Sequence, residues 1–157
     1  MEVLGRHKSG IKRMRKDKTN EILHEPETNI SLYYLNCNNC TIVIPNKVIK
    51  IFFENCNNCN ITISHCVTPI EILRTKLCHF TIDNCNLVQI DLSQLILIDL
   101  ININCDFFTV YCKTWDVIVN IQERQQHYVL FNDYFGEQFV TGAMLIGDLV
   151  EFHTIRT

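Results

Sequence analysis

Isoleucine returns every 19 residues through the middle of the chain, at Ile44, Ile63, Ile82 and Ile101. Other columns keep the same interval: Leu32, Ile51 and Ile70; Tyr34, Phe53 and Ile72; Cys40, Cys59 and Cys78. Cys66 and Cys85 form a further column, followed at 20 residues by Cys105. Several independent columns with one period define a repeat protein. A propeller blade needs about 40 residues, so this period is too short for one. It suits one coil of a parallel β-helix, whose strands lie about 4.8 Å from those of the coil before, so that like side chains stack in ladders. Between residues 31 and 121 there is room for about five coils of about 19 residues.

The local pattern agrees. Apolar residues alternate over Thr41–Ile44, Ile49–Phe53, Asn60–Ile63, Phe80–Ile82, Val88–Leu92 and Val117–Ile121, which marks half-buried strands. No window carries a capped helical stripe, so the expected class is all-β. Asn36, Asn39, Asn55, Asn58, Asn84 and Asn104 recur beside cysteines. Asparagine tolerates the left-handed conformation, so NC and NCNNC read as corners, with each cysteine packing inward as a small hydrophobe. Cys37, Cys40, Cys56 and Cys59 also have the spacing of a four-cysteine zinc site. Zinc would explain those cysteines but not the isoleucine columns, and neither CxxC contains the glycine of a zinc knuckle. The expectation is therefore no metal and no cofactor.

Charge is uneven. Seven of the 14 Lys and Arg residues fall within residues 6–18, leaving the other 139 residues from 19 onward with 7 basic and 15 acidic groups, a net of −8. Residues 1–30 read as a basic N-terminal arm, either a solvated tail or a contact to an acidic partner. No aromatic side chains interleave these charges, which argues against nucleic acid. Nothing reads as a secretory signal, and the most apolar run, Leu95–Ile103, is broken by Asp99 and too short to span a bilayer. A cytoplasmic protein with reduced thiols is expected.

The segment Leu32–Cys56, LYYLNCNNCTIVIPNKVIKIFFENC, resembles the C-terminal domain of the cyclase-associated proteins, which regulate actin. The likeness lies in Asn36-Cys37, Thr41–Ile44, Lys47-Val48 and Glu54-Asn55-Cys56. Thr81-Ile82-Asp83, Gln89–Ser93 and the C-terminal Phe135–Val140, FGEQFV, are similar to later stretches of that family. Gly136 stands where its signature has proline, and Gly10–Met14 departs from its opening Gly-Lys-Trp strand. The resemblance implies a right-handed parallel β-helix with a C-terminal β-hairpin. It also implies binding to monomeric actin, with exchange of bound ADP for ATP. The β-helix is expected over 31–134 and the hairpin over 135–157.

The resemblance also implies that the hairpin crosses to a second copy, giving a strand-swapped homodimer. The residues for this are Glu137, Gln138, Phe139, Val140, Met144, Leu145, Leu149, Val150 and Phe152. Folding back as a cap on its own chain is the alternative, since an apolar hairpin must pack on something. Exposed charge on strands makes Lys47, Lys50, Glu54, Arg74 and Lys76 the candidate actin contacts, with Lys47 matching the family position. Gln122-Glu123-Arg124 followed by His127 resembles the Gln-x-Arg-x-His finger of tubulin cofactor C, so a GTPase activator is a second reading, and a non-catalytic scaffold a third. The chain has no phosphate-cradling glycine loop and no nucleophile paired with a base, so it is not expected to be an enzyme.

Overall fold

A computed structural model describes residues 3–7, 10–101, 107–110, 114–121, 126–132, 139–146 and 149–156, with side chains from 13 to 101 and at 114 and 116–120. In chain order the strands are β1 (Val3–His7), β2 (Gly10–Lys16), β3 (Ile22–His24), β4 (Ile30–Leu35), β5 (Thr41–Val48), β6 (Lys50–Glu54), β7 (Asn60–Cys66) and β8 (Ile70–Leu73). They continue with β9 (Lys76–Cys85), β10 (Leu87–Asp91), β11 (Gln94–Leu100), β12 (Phe107–Val110), β13 (Thr114–Ile121), β14 (Gln126–Asn132), β15 (Phe139–Ile146) and β16 (Leu149–Arg156). No helix occurs among the described residues.

The chain alternates between two sheets. One runs β1-β2-β4-β6-β8-β10-β12-β15-β16 and the other β14-β13-β11-β9-β7-β5-β3. Successive strands from β2 to β12, and from β3 to β13, pair in parallel. Antiparallel strands close the ends: β1 on β2, β14 on β13, and the β15–β16 hairpin on β12. This is a parallel β-helix of about five coils, as the repeat predicts.

The ladders form its core. Leu32, Ile51, Ile70 and Val88 stack in the first sheet, as do Tyr34, Phe53, Ile72 and Ile90. Ile44, Ile63, Ile82 and Leu100 stack opposite them. All are at most 2% exposed, and each buried aliphatic side chain contributes about 1.5–3 kcal/mol. The Tyr34 and Phe53 rings stack 5.2 Å apart, and Phe53 meets Phe80 of the second sheet edge-on at 5.1 Å.

Three expectations are corrected. The Ile44 column ends on Leu100, and Ile101 is 42% exposed. The reason is the corner: Val67, Thr68 and Pro69 separate Cys66 from Ile70, whereas only Asn86 and Leu87 separate Cys85 from Val88. That coil has one residue fewer. Asn84 lies inside β9 opposite His65 and is not a corner, while Asn104 lies outside the described residues.

The third correction concerns residues 1–30, expected as an arm. Residues 10–30 instead build the first coil, with Arg13 beside Leu32 and Arg15 beside Tyr34 in the inward columns of β2 and β4. Glu25 falls one period before Ile44 and is fully buried. Arg15 Nε donates to Glu25 Oε1 at 2.7 Å, and Arg13 pairs with Glu25 at 3.4 Å and with Glu27 at 2.6 Å. The core therefore ends on an ionic plug, in the place where a solenoid needs a polar cap. Four of the basic arm residues, Lys12, Arg13, Arg15 and Lys16, belong to strand β2.

Candidate functional site

Each broad corner between the sheets passes through two left-handed residues. Asp17, Asn36, Asn55, Arg74 and Leu92 form one column, with φ between 47° and 56°. Asn20, Asn39, Asn58, Leu77, Leu95 and Asp116 form the second, with φ between 52° and 56°. Asparagine amides bridge the coils here: Asn55 Nδ2 donates to Asn36 Oδ1 at 2.7 Å, and Asn36 Nδ2 to Asp17 Oδ1 at 3.0 Å. Asn58 repeats the arrangement onto Asn39 at 2.5 Å.

Between the two columns the inward corner position runs Cys37, Cys56, Thr75, Ser93 and Thr114, all buried. The last three accept a backbone N–H from the coil before: Cys56 to Thr75 Oγ1 at 3.3 Å, Thr75 to Ser93 Oγ at 3.1 Å, and Ser93 to Thr114 Oγ1 at 3.3 Å. The thiols of this column instead donate to backbone carbonyls, Cys37 to Leu35 at 3.8 Å and Cys56 to Glu54 at 3.5 Å, as Cys40 does to Asn38 at 3.4 Å and Cys59 to Asn57 at 3.3 Å in the neighbouring cysteine column. The two CxxC pairs are thus rungs of ladders. Among the described residues, no three His, Cys, Asp or Glu side chains converge as metal ligands.

After the third coil the left-handed asparagines stop. A cleft of about 380 Å³ opens there, lined by Asn57, Arg74, Lys76, Leu92 and Gln94 among others. The outer face of the first sheet lies beside it. Tyr33 and Phe52 stack on that face with centroids 4.8 Å apart and rings nearly parallel. The Tyr33 hydroxyl donates to Glu54, whose other oxygen lies 3.6 Å from Arg74 Nη1. Burial, and then the Glu54 hydrogen bond, push the Tyr33 phenol up to about 12. Lys50 pairs with Glu71 at 3.3 Å.

The five candidate contacts therefore divide. Lys50 and Glu54 lie at the two ends of β6, and Glu54 is joined to Arg74. Arg74 and Lys76 share the corner cleft. Lys47 is exposed at the far end of β5, after the bulge at Pro45 and Asn46, and is not brought to that cleft. Of the expected dimer residues, Phe139, Val140, Met144 and Leu145 lie on β15 and Leu149, Val150 and Phe152 on β16. Within this single chain β15 pairs with β12, Phe107 opposite Met144. Glu137 and Gln138, and Gln122–Arg124 of the finger-like motif, lie outside the described residues, while His127 is in β14.

A family model, described as the C-terminal region of adenylate cyclase-associated (CAP) proteins, matches residues 3–149. The chain belongs to this family. The fold agrees: the crystal structure of cyclase-associated protein from Cryptosporidium parvum superposes with a TM-score of 0.65, covering 100% of each chain at 16% identity. No curated sequence matches the chain. For a cyclase-associated C-terminal domain, the match begins at residue 3, consistent with the first coil lying within the expected arm. Sequence reasoning also missed the polar group on the second sheet, where Asp99 accepts from Asn120 Nδ2 at 2.8 Å and lies 2.6 Å from His79 Nε2. Asp99 and Asn120 are register partners on β11 and β13, but the coil between them is 21 residues, outside the 19-residue period. Among the described residues, no helix is long and apolar enough to cross a membrane.

Proposed function

We propose that this chain binds monomeric actin and promotes exchange of its bound ADP for ATP. The family match over residues 3–149 carries this reading. The geometry supports it: a rigid stack of sheets offers a broad face with an aromatic pair and charges at its edges, suited to a large partner. Exchange would be accelerated by binding an open state of actin more tightly than the closed one, with no covalent chemistry on this chain. Its site of action would be the cytoplasm, where its partner is.

Self-association belongs to the same reading. The β12 edge that accepts β15 here can accept β15 of a second copy through the same hydrogen bonds, giving a two-fold dimer with two actin-binding faces. Sedimentation of the intact chain and of a chain ending at Tyr134 tests this, and a monomeric intact chain at micromolar concentration overturns the swap. For function, the uptake of a fluorescent ATP analogue by ADP-bound actin is followed with and without the protein. Faster exchange is expected. Weaker binding is expected for Lys47→Glu with Lys50→Glu, with the β-sheet circular dichroism unchanged. An exchange rate that this protein does not alter overturns the exchange reading.

A further inference from the structure

The corner edge changes character half-way along the solenoid, in a way that neither the backbone nor the core requires. The left-handed positions of the earlier coils hold Asp17, Asn36 and Asn55 in one column and Asn20, Asn39 and Asn58 in the other. The next two coils place Arg74 and Leu92, then Leu77 and Leu95, in the same conformation. Left-handed backbone disfavours side chains of this kind, and such outliers gather at functional sites. Burial offers no compensation: Leu77 is 54% and Leu95 45% exposed. These leucines lie on the edge that also carries the corner cleft.

The charge of the cleft is equally one-sided. Its lining includes Arg74 and Lys76 and no carboxylate. The Lys76 ammonium has no ion-pair partner among the described residues. Arg74 reaches Glu54 at its rim over 3.6 Å, but the guanidinium is 60% exposed and that pairing is weak in water. On a chain whose residues 19–157 carry a net charge of −8, this is a local basic groove edged by exposed leucines.

We infer that the cleft lined by Arg74, Lys76, Leu92 and Gln94, together with the exposed Leu77 and Leu95 on the same corner edge, docks an acidic segment of a protein partner that also presents apolar side chains. The cations receive the carboxylates and the leucines receive the apolar anchors. Asparagine, the better backbone choice, is absent where the anchors are needed. This inference concerns the chemistry of the groove and stands whether or not the partner is actin.

The probe is a fluorescein-labelled synthetic peptide of alternating Asp and Leu, with a Lys–Leu peptide and an oligothymidylate as controls, titrated into the full chain. Anisotropy should rise with the Asp–Leu peptide alone. Arg74→Glu with Lys76→Glu should weaken binding about tenfold or more, and added salt should weaken it in the wild type. Leu77→Asn with Leu95→Asn should also weaken it while raising the melting temperature, which separates lost anchors from lost folding. No binding of the Asp–Leu peptide, equal affinity across wild type and both variants, or preference for the oligothymidylate overturns the inference. A peptide response without any actin response supports the groove and overturns the actin reading instead.

Discussion

Arg15 and Glu25 face each other inside the first coil, guanidinium Nε to carboxylate Oε1 at 2.7 Å, with the Glu25 side chain fully buried. Arg13 joins them at 3.4 Å. Removing one member of such a group leaves uncompensated charge away from water, which costs about 3–5 kcal/mol. Glu25→Gln should therefore lower stability by roughly 3 kcal/mol in urea unfolding. A loss within about 0.5 kcal/mol, the range of ordinary surface substitutions, would mean that the plug is solvated and the first coil open.

The left-handed corners make a second prediction in the opposite direction. Leu77 has φ 56° where Asn39 and Asn58 precede it in the column. Left-handed backbone costs most residues about 1–2 kcal/mol, and asparagine less. Leu77→Asn should thus raise the melting temperature and gain about 0.5–1 kcal/mol. Asn58→Leu, which also breaks the Asn58–Asn39 amide bridge, should lose at least as much. Calorimetry on the two variants checks the pair, and a destabilised Leu77→Asn would show that the leucine supports the fold.

These two features mark where the sequence was legible and where it was not. The apolar columns announced the coils because Ile, Phe and Cys repeat at one interval. The same interval reaches back through Arg13, Arg15 and Glu25, but an ion pair replaces the apolar signal there, so the first coil looked like a tail. Ile101 failed for a different reason: one residue lost from a corner changes the phase of everything after it. The candidate site was only partly readable. Exposed charge identified Arg74 and Lys76, yet their common cleft depends on corners whose Leu and Arg residues give no sequence signal for left-handed backbone. Exposed charge and the resemblance both pointed to Lys47, but the bulge sets it at the other end of β5.

Asp91 sits in a second cleft, of about 220 Å³, and its Oδ1 is buried without a hydrogen-bond partner. Burial raises its pKa, opposed by the Leu92 backbone N–H and the Arg74 charge. A carboxyl group with a folded-state pKa above its unfolded value favours the folded state below the unfolded pKa, and loses that contribution as pH rises through the folded one. Asp91→Asn should therefore stabilise the protein at about pH 7 and give no advantage at about pH 3. Thermal melting at the two pH values decides it; equal effects at both would remove the charge as the cause.

The cysteines discriminate between ladder and metal in solution. Of the nine in the chain, Cys37, Cys40, Cys56, Cys59, Cys66, Cys78 and Cys85 are buried free thiols, leaving Cys105 and Cys112. Burial pushes Cys66 up to about 12 and raises Cys40, while Cys56 and Cys78 are raised first by their thiol hydrogen bonds to Cys37 and Cys59 and then by burial. Cys37 and Cys59, accepting those bonds, are lowered, but a thiolate must also be reached by the reagent. At about pH 8, near the ordinary thiol pKa, no more than two of the nine should react quickly with an aromatic disulfide in the native protein, and all nine in denaturant. A chelator should leave the melting temperature unchanged. Fast reaction of more than two thiols would mean that the core columns open readily. Stoichiometric zinc released as the thiols are titrated would replace the ladder with a metal site.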